Sequence, residues 1–142
     1  GLTAIRETFE ETGLIVGRAN AFPGRVAQDW RKYADQGAAP CLRGFTMIGR
    51  AITPPYRPKR FDARFFMAEA EDVLIDERPP VDGAELHDLQ WVTLDDALAL
   101  DLPNVTRFML GEIAVRLKHK DVGALRPPFL RWAAGGHSQD RI

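Results

Sequence analysis

A single domain of mixed class, α/β or α+β, is what this sequence predicts, and three observations lead there. Helical spacing is clear near the start, where Leu2, Ile5 and Phe9 share one side, and again from residue 104, where Val105, Phe108, Met109, Ile113 and Leu117 do so. Between them, residues 61–68 alternate as a strand does, with Phe61, Ala63, Phe65 and Met67 on one side and Asp62 and Arg64 on the other. A chain of 142 residues with 45% apolar and 27% charged side chains is long enough, and ordinary enough, to bury one sizeable core.

Taken in order, the first helix ends at Gly13, a residue suited to the left-handed position that closes a helix. Leu14, Ile15 and Val16 follow as a short buried strand, and residues 21–24 make a turn around Pro23 and Gly24. Val26, Trp30 and Tyr33 return to helical spacing, with Gly37 as the stop, and the two large aromatics are expected to pack in the core or an interface. Residues 40–47 read either way, because Leu42 and Phe45 suit a helical turn while Gly44 weakens one. This connection is longer than a plain loop requires and is expected to cover a site or form a homodimer contact.

A strand over residues 48–53 ends at Pro54 and Pro55, and the alternating strand over 61–68 follows. Pro79 and Pro80 mark residues 76–83 as a surface loop, and residues 85–92 read as the next strand. Thr93 with Asp96 three residues on forms a capping-box pattern at the start of another helix. The helix from residue 104 carries Lys118, His119 and Lys120 at its far end, where positive charge suits the dipole. Residues 126–142 read as a C-terminal tail whose Phe129, Leu130 and Trp132 pack on the body or a second subunit.

The acidic side of the first helix has a chemical rather than a stabilising look. Glu7, Glu10 and Glu11 fall within an arc of roughly 100° opposite the apolar side. Carboxylates at i, i+3 and i+4 repel one another, and two of them lie in the last turn, where the dipole disfavours negative charge. Arg6, four residues before Glu10, offsets this only in part. A hard divalent cation would reverse both terms, since such ions are held by carboxylate oxygens. The plainer alternative is a solvated face of an amphipathic helix.

The wording of residues 6–14, Arg-Glu-Thr-Phe-Glu-Glu-Thr-Gly-Leu, resembles the second half of the Nudix box, G-x5-E-x7-R-E-U-x-E-E-x-G-U with U a bulky aliphatic residue. Six of seven defined positions match, namely Arg6, Glu7, Glu10, Glu11, Gly13 and Leu14, and Thr8 departs where an aliphatic residue is preferred. The box's first half would precede Gly1, so the resemblance implies a Nudix domain over residues 1–142 that lacks its N-terminal part. It sharpens the fold to an α/β/α sandwich around a mixed sheet. The run from Arg50 to Ala68, with Ile52-Thr53-Pro54-Pro55 and Arg60-Phe61-Asp62, also resembles a bacterial branch akin to the peroxisomal coenzyme A diphosphatases.

What the resemblance implies is metal-assisted hydrolysis of a phosphoanhydride. Glu7, Glu10 and Glu11 would hold Mg²⁺ or Mn²⁺, Arg6 would orient a neighbouring carboxylate, and Glu85 or a box glutamate would act as base, with Asp82 in reserve. The substrate implied is a nucleoside diphosphate linked to another group, with coenzyme A ahead of ADP-ribose, dinucleoside polyphosphates or a damaged nucleotide. From the residues themselves comes a further expectation. Between residues 50 and 64 five cations face one anion, so Arg57, Lys59, Arg60 and Arg64 are candidates for holding substrate phosphates, against the alternative of a solubilising loop.

A non-catalytic, nucleotide-binding regulatory or scaffold module is the competing reading of the same fold; the repulsive triad speaks against it. A net charge of −1 offers no general attraction for nucleic acid or anionic membranes, and no apolar run approaches a membrane span. One cysteine, Cys41, excludes an intrachain disulfide and fits a reducing, cytoplasmic setting, while His87, His119 and His137 are too scattered for a zinc site.

Overall fold

The structure, a computed structural model, describes residues 1–83, 85–119, 123–133 and 136–142, with the backbone alone at 132, 133, 136 and 137. The secondary structure is mixed, with five α-helices and six strands among the described residues. The chain divides into two compact units: Gly1–Gly44 with Ala68–Trp91, and Phe45–Met67 with Val92–Ile142.

The first unit is organised by α1 (Leu2–Thr12), which buries Ile5 completely and ends at Gly13 with φ 70°. There the Gly13 N–H returns to the Phe9 carbonyl at 2.9 Å, the closure that a left-handed terminal glycine allows. Leu14, Ile15 and Val16 are buried as their composition requires, yet they make only an isolated antiparallel bridge, Val16 to Leu74. A two-residue ladder joins β1 (Arg18–Ala19) to β2 (Ala38–Ala39). Between them a 3₁₀ turn, Gln28–Trp30, runs into α2 (Arg31–Ala34), and Gly37 at φ 69° closes the segment. Tyr33 is the packing centre. Its ring meets Phe9, Phe22 and Trp30 edge-on or nearly so, with centroids 5.3–6.5 Å apart, and its hydroxyl donates to the Val16 carbonyl at 2.7 Å. The short α3 (Ala70–Val73) completes this unit.

The second unit holds a four-stranded mixed sheet in the order β4-β3-β5-β6, built from β3 (Thr46–Ile52), β4 (Asp62–Met67), β5 (Pro128–Ala133) and β6 (Gly136–Arg141). β3 pairs antiparallel with β4 and parallel with β5, and β5 pairs antiparallel with β6. Two helices belong here. α4 (Leu94–Ala99) starts as its sequence predicts, with Thr93 Oγ1 accepting the Asp96 N–H at 3.1 Å. α5 (Asn104–Arg116) packs on β3 where Gly49 makes room, since a Cβ there would collide with the Met109 sulfur.

Three expectations need correction. Residues 85–92 form no strand: the Asp82 carboxylate accepts the backbone N–H groups of Asp88 and Leu89, each at 3.1 Å, and Asp88 sits at φ 57°. Those donors are spent on a side chain, in the manner of an Asx-type turn, and a left-handed residue breaks the pleat. The predicted stripe of α5 holds at Met109, and at Val105 and Phe108 towards the sheet, but it takes in two charged residues and loses Leu117. Leu117 is 53% exposed, while Met109, Glu112 and Arg116 are buried. Glu112 tolerates burial because Arg141 of β6 donates to it at 3.0 and 3.4 Å. Residues 126–142 contribute two strands to the sheet, beyond the packing of Phe129, Leu130 and Trp132 expected of a tail; the Trp132 side chain lies outside the described residues. Pro128 is admissible as the first residue of β5, and polar β6 takes the edge position where charge guards against further pairing.

Candidate functional site

The acidic face of α1 is the natural place to look for chemistry, and its geometry follows from helical spacing. Arg6 donates from Nη1 to Glu10 Oε2 at 2.7 Å, one turn on, and from Nη2 to Glu7 Oε1 at 3.5 Å. The Arg6 side chain is 23% exposed against 40% for Glu10 and 53% for Glu7, so the cation lies deeper than the carboxylates it gathers. Its hydrogen bond to Glu10 raises the guanidinium pKa further above its already high value. The neighbouring turn is tied off locally: Thr12 Oγ1 donates to the Thr8 carbonyl at 2.6 Å and accepts the Leu14 N–H at 3.2 Å.

The last turn of α1 also anchors the loop that follows α3. Val81 N–H donates to the Thr12 carbonyl at 2.8 Å, satisfying one of the carbonyls a helix end leaves open. Gly83 lies so close that a Cβ would stand 2.8 Å from the Glu11 carbonyl oxygen and 3.4 Å from that of Glu10. The loop thus brings Asp82 to the carboxylate helix. Glu10 and Asp82 line one cavity of about 460 Å³, together with Phe9, Gln28, Asp29 and Lys32. Such a volume lies within the usual range for small-molecule sites.

Of the residues singled out from sequence, Arg6, Glu7 and Glu10 are therefore linked directly, Glu11 is half-buried beside them, and Glu10 and Asp82 face a shared cavity. Glu85 is exposed in the loop beyond and is not among the residues lining that cavity. Among the described residues no group of three His, Cys, Asp or Glu side chains is already gathered as a metal cage. The donor set suits a hard cation nonetheless: all the candidates are carboxylates, exposed or half-exposed, on long side chains that can converge. Lys32 and Gln28 were not apparent as site residues. They are four apart, hence on one helical side, but the stronger signal of Trp30 and Tyr33 draws attention to the packing instead.

The basic segment belongs to the second unit. Arg50 is not available as a loose cation, because it binds Asp62 through two hydrogen bonds of 2.6 and 2.7 Å and lies 4.6 Å from the Phe129 ring centre. The same bonds hold the Asp62 carboxyl below its usual pKa. Arg57, Lys59, Arg60 and Arg64 are exposed, and among the described residues none of the four is in an ion pair. Arg60 Nε donates to the Thr53 carbonyl at 3.3 Å, and the Arg57 guanidinium stands 5.9 Å from the Tyr56 ring centre. No helix among the described residues is long and apolar enough to cross a membrane. No family model matches this chain, and no curated protein or solved structure matches it either.

Proposed function

We propose that this chain is a metal-dependent pyrophosphohydrolase of Nudix type, cleaving a nucleoside diphosphate linked to a second group, with coenzyme A as the leading case. The observation that carries the reading is the Arg6 guanidinium joined to Glu10 and Glu7 on a carboxylate face whose last turn borders a cavity. The finer fold assignment, an α/β/α sandwich around a mixed sheet, belongs to the same proposal.

Glu7, Glu10 and Glu11 are the residues that would hold Mg²⁺ or Mn²⁺. A bound cation of this kind neutralises pyrophosphate oxygens and lowers the pKa of an attacking water. Arg6 sets the orientation of Glu10 and limits repulsion along the face while the carboxylates remain ionised. Lys32, in the cavity lining, offers a point charge to a phosphate oxygen. A carboxylate must accept the proton of water; Glu10 is our first assignment because it lines the cavity, and Glu85 is the second. That Arg57, Lys59, Arg60 and Arg64 hold substrate phosphates is a separate part of the proposal, carried by their charge and exposure alone.

Hydrolysis in ¹⁸O-labelled water tests the reading. With Mg²⁺, coenzyme A or a related conjugate should yield two phosphorylated products, one carrying label, and simple phosphomonoesters should remain intact. Glu10→Gln should lose most of the rate. Activity on monoesters alone, or full activity in Glu10→Gln, overturns the assignment. Tight nucleotide binding without turnover supports a binding module instead.

A further inference from the structure

The second unit contains an apolar cavity of about 520 Å³ between its sheet and α5 that the proposed chemistry leaves unused. Its existence follows from the register. Ala51 on β3 stands opposite Ala63 on β4 and beside Leu130 on β5, so two adjacent strands present methyl groups at the same level. Further along β3, Gly49 seats Met109 and the helix closes down; at the level of the alanines no side chain among the described residues fills the space below Val105 and Phe108. Phe65 forms another wall, and Phe61, 65% exposed, stands in the lining. Polar groups are few: Thr53, whose Oγ1 accepts the Phe61 N–H at 3.0 Å, and Asn104 at the start of α5.

One loop bordering this cavity is rich in positive side chains. The connection from Thr53 to Phe61, both lining residues, carries Arg57, Lys59 and Arg60, and Arg60 is held against the Thr53 carbonyl at 3.3 Å. No acidic side chain lies in the first turn of α5. Asp62, the nearby carboxylate in sequence, is bound by Arg50 and does not neutralise the loop. An apolar chamber bordered by a loop that carries cations, one of them bonded to the lining residue Thr53, suits an amphipathic anion.

We infer that this cavity binds an amphipathic anion, a straight-chain carboxylate whose hydrocarbon lies between Ala51, Ala63 and Phe108 and whose head group meets Arg60 and its neighbours. The size falls within the range of small-molecule pockets, and the apolar lining supplies affinity while the cations select the head group. The inference does not rest on the hydrolase reading, because binding needs no turnover and no metal.

Calorimetric titration of the full chain with decanoate, 1-decanol and decyltrimethylammonium, without metal, is the test. Decanoate should bind at least about fivefold more tightly than decanol, the order expected of one or two exposed charge contacts, and the ammonium should bind weakest. Replacing Arg57, Lys59 and Arg60 by Ser should remove the preference of decanoate over decanol. Ala63→Leu, which places a side chain in the chamber, should weaken both by about tenfold or more, and Ala51→Leu provides the same test from the neighbouring strand should that variant fold poorly. Equal affinity for all three head groups, no binding of decanoate, or folded leucine variants that bind as the wild type does would each overturn the proposal.

Discussion

Arg6 Nη1 and Glu10 Oε2 lie 2.7 Å apart across one turn of α1, and this contact offsets part of the repulsion along a crowded carboxylate face. Without it, the repulsion among Glu7, Glu10 and Glu11 would be larger, in a helix that has no basic residue in its last turn. A pair at this spacing is worth only about 0.2–0.5 kcal/mol. It therefore offsets the repulsion without removing the affinity of the face for a cation.

A metal dependence of stability follows. Mg²⁺ or Mn²⁺ should raise the melting temperature, because a ligand bound by the folded state alone stabilises it. Changing Glu10 and Glu11 together to Gln should abolish the shift and leave the metal-free protein as stable as before or slightly more so. An undiminished shift in the double variant would move the cation to other residues.

Gly83 gives a purely steric prediction. A methyl group there meets the Glu11 carbonyl oxygen at 2.8 Å, so Gly83→Ala must push the loop from the end of α1. We expect a loss of about 1–3 kcal/mol. Gly111, within α5, has nothing within 4 Å of an added Cβ among the described residues, and Gly111→Ala should stabilise by about 0.5–1 kcal/mol through helix propensity alone. Urea unfolding of both variants checks the contrast; equal effects would mean that the loop does not dock as described.

Tyr33 ties stability to pH. Burial pushes its phenol up to about 12, from an ordinary value near 10, with the charge of Cys41 a second cause. Because the folded value is the higher one, this contribution is fully present below pH 10 and is lost as pH rises from 10 through 12. The urea midpoint should fall more steeply over that interval than in Tyr33→Phe, which has no proton to lose there. Parallel curves would show that the ring is not held in an apolar setting.

How much of this was legible beforehand depended on whether the deciding partners were local. The end of α1 at Gly13 and the cap at Thr93 are set within four residues, and both are legible in the sequence. The alternation of residues 61–68 likewise sufficed to place β4. The failures involve distant partners. Asp82 captures the N–H groups of Asp88 and Leu89 and so removes a strand that composition alone supports. Glu112 turns inward on α5 because Arg141, 29 residues away, arrives to meet it. The pair of strands after Pro127 was hidden because Pro128 and a polar edge strand lack the apolar alternation that signals a buried one. At the site, the contact of Arg6 with Glu10 was predictable from spacing, whereas the approach of Asp82 and Lys32 to one cavity was not.

The basic loop yields the remaining prediction, which separates its two readings by kinetics. Arg57, Lys59 and Arg60 are exposed, and none is in an ion pair among the described residues, so replacing all three by Ser should cost the fold little, within about 0.5 kcal/mol per site. If they hold substrate phosphate equally in the ground and transition states, KM should rise severalfold with kcat nearly unchanged. Raising the salt concentration should have a like effect on the wild type and little on the variant, because exposed charges are screened over about 10 Å at 0.1 M. Arg50→Ser is the control: it breaks the two bonds to Asp62 and should lower stability. Steady-state assays with the best diphosphate substrate decide the matter. Unchanged constants in the triple variant would leave the loop a solvated surface, and a fall in kcat alone would mean that these cations act on the transition state rather than on binding.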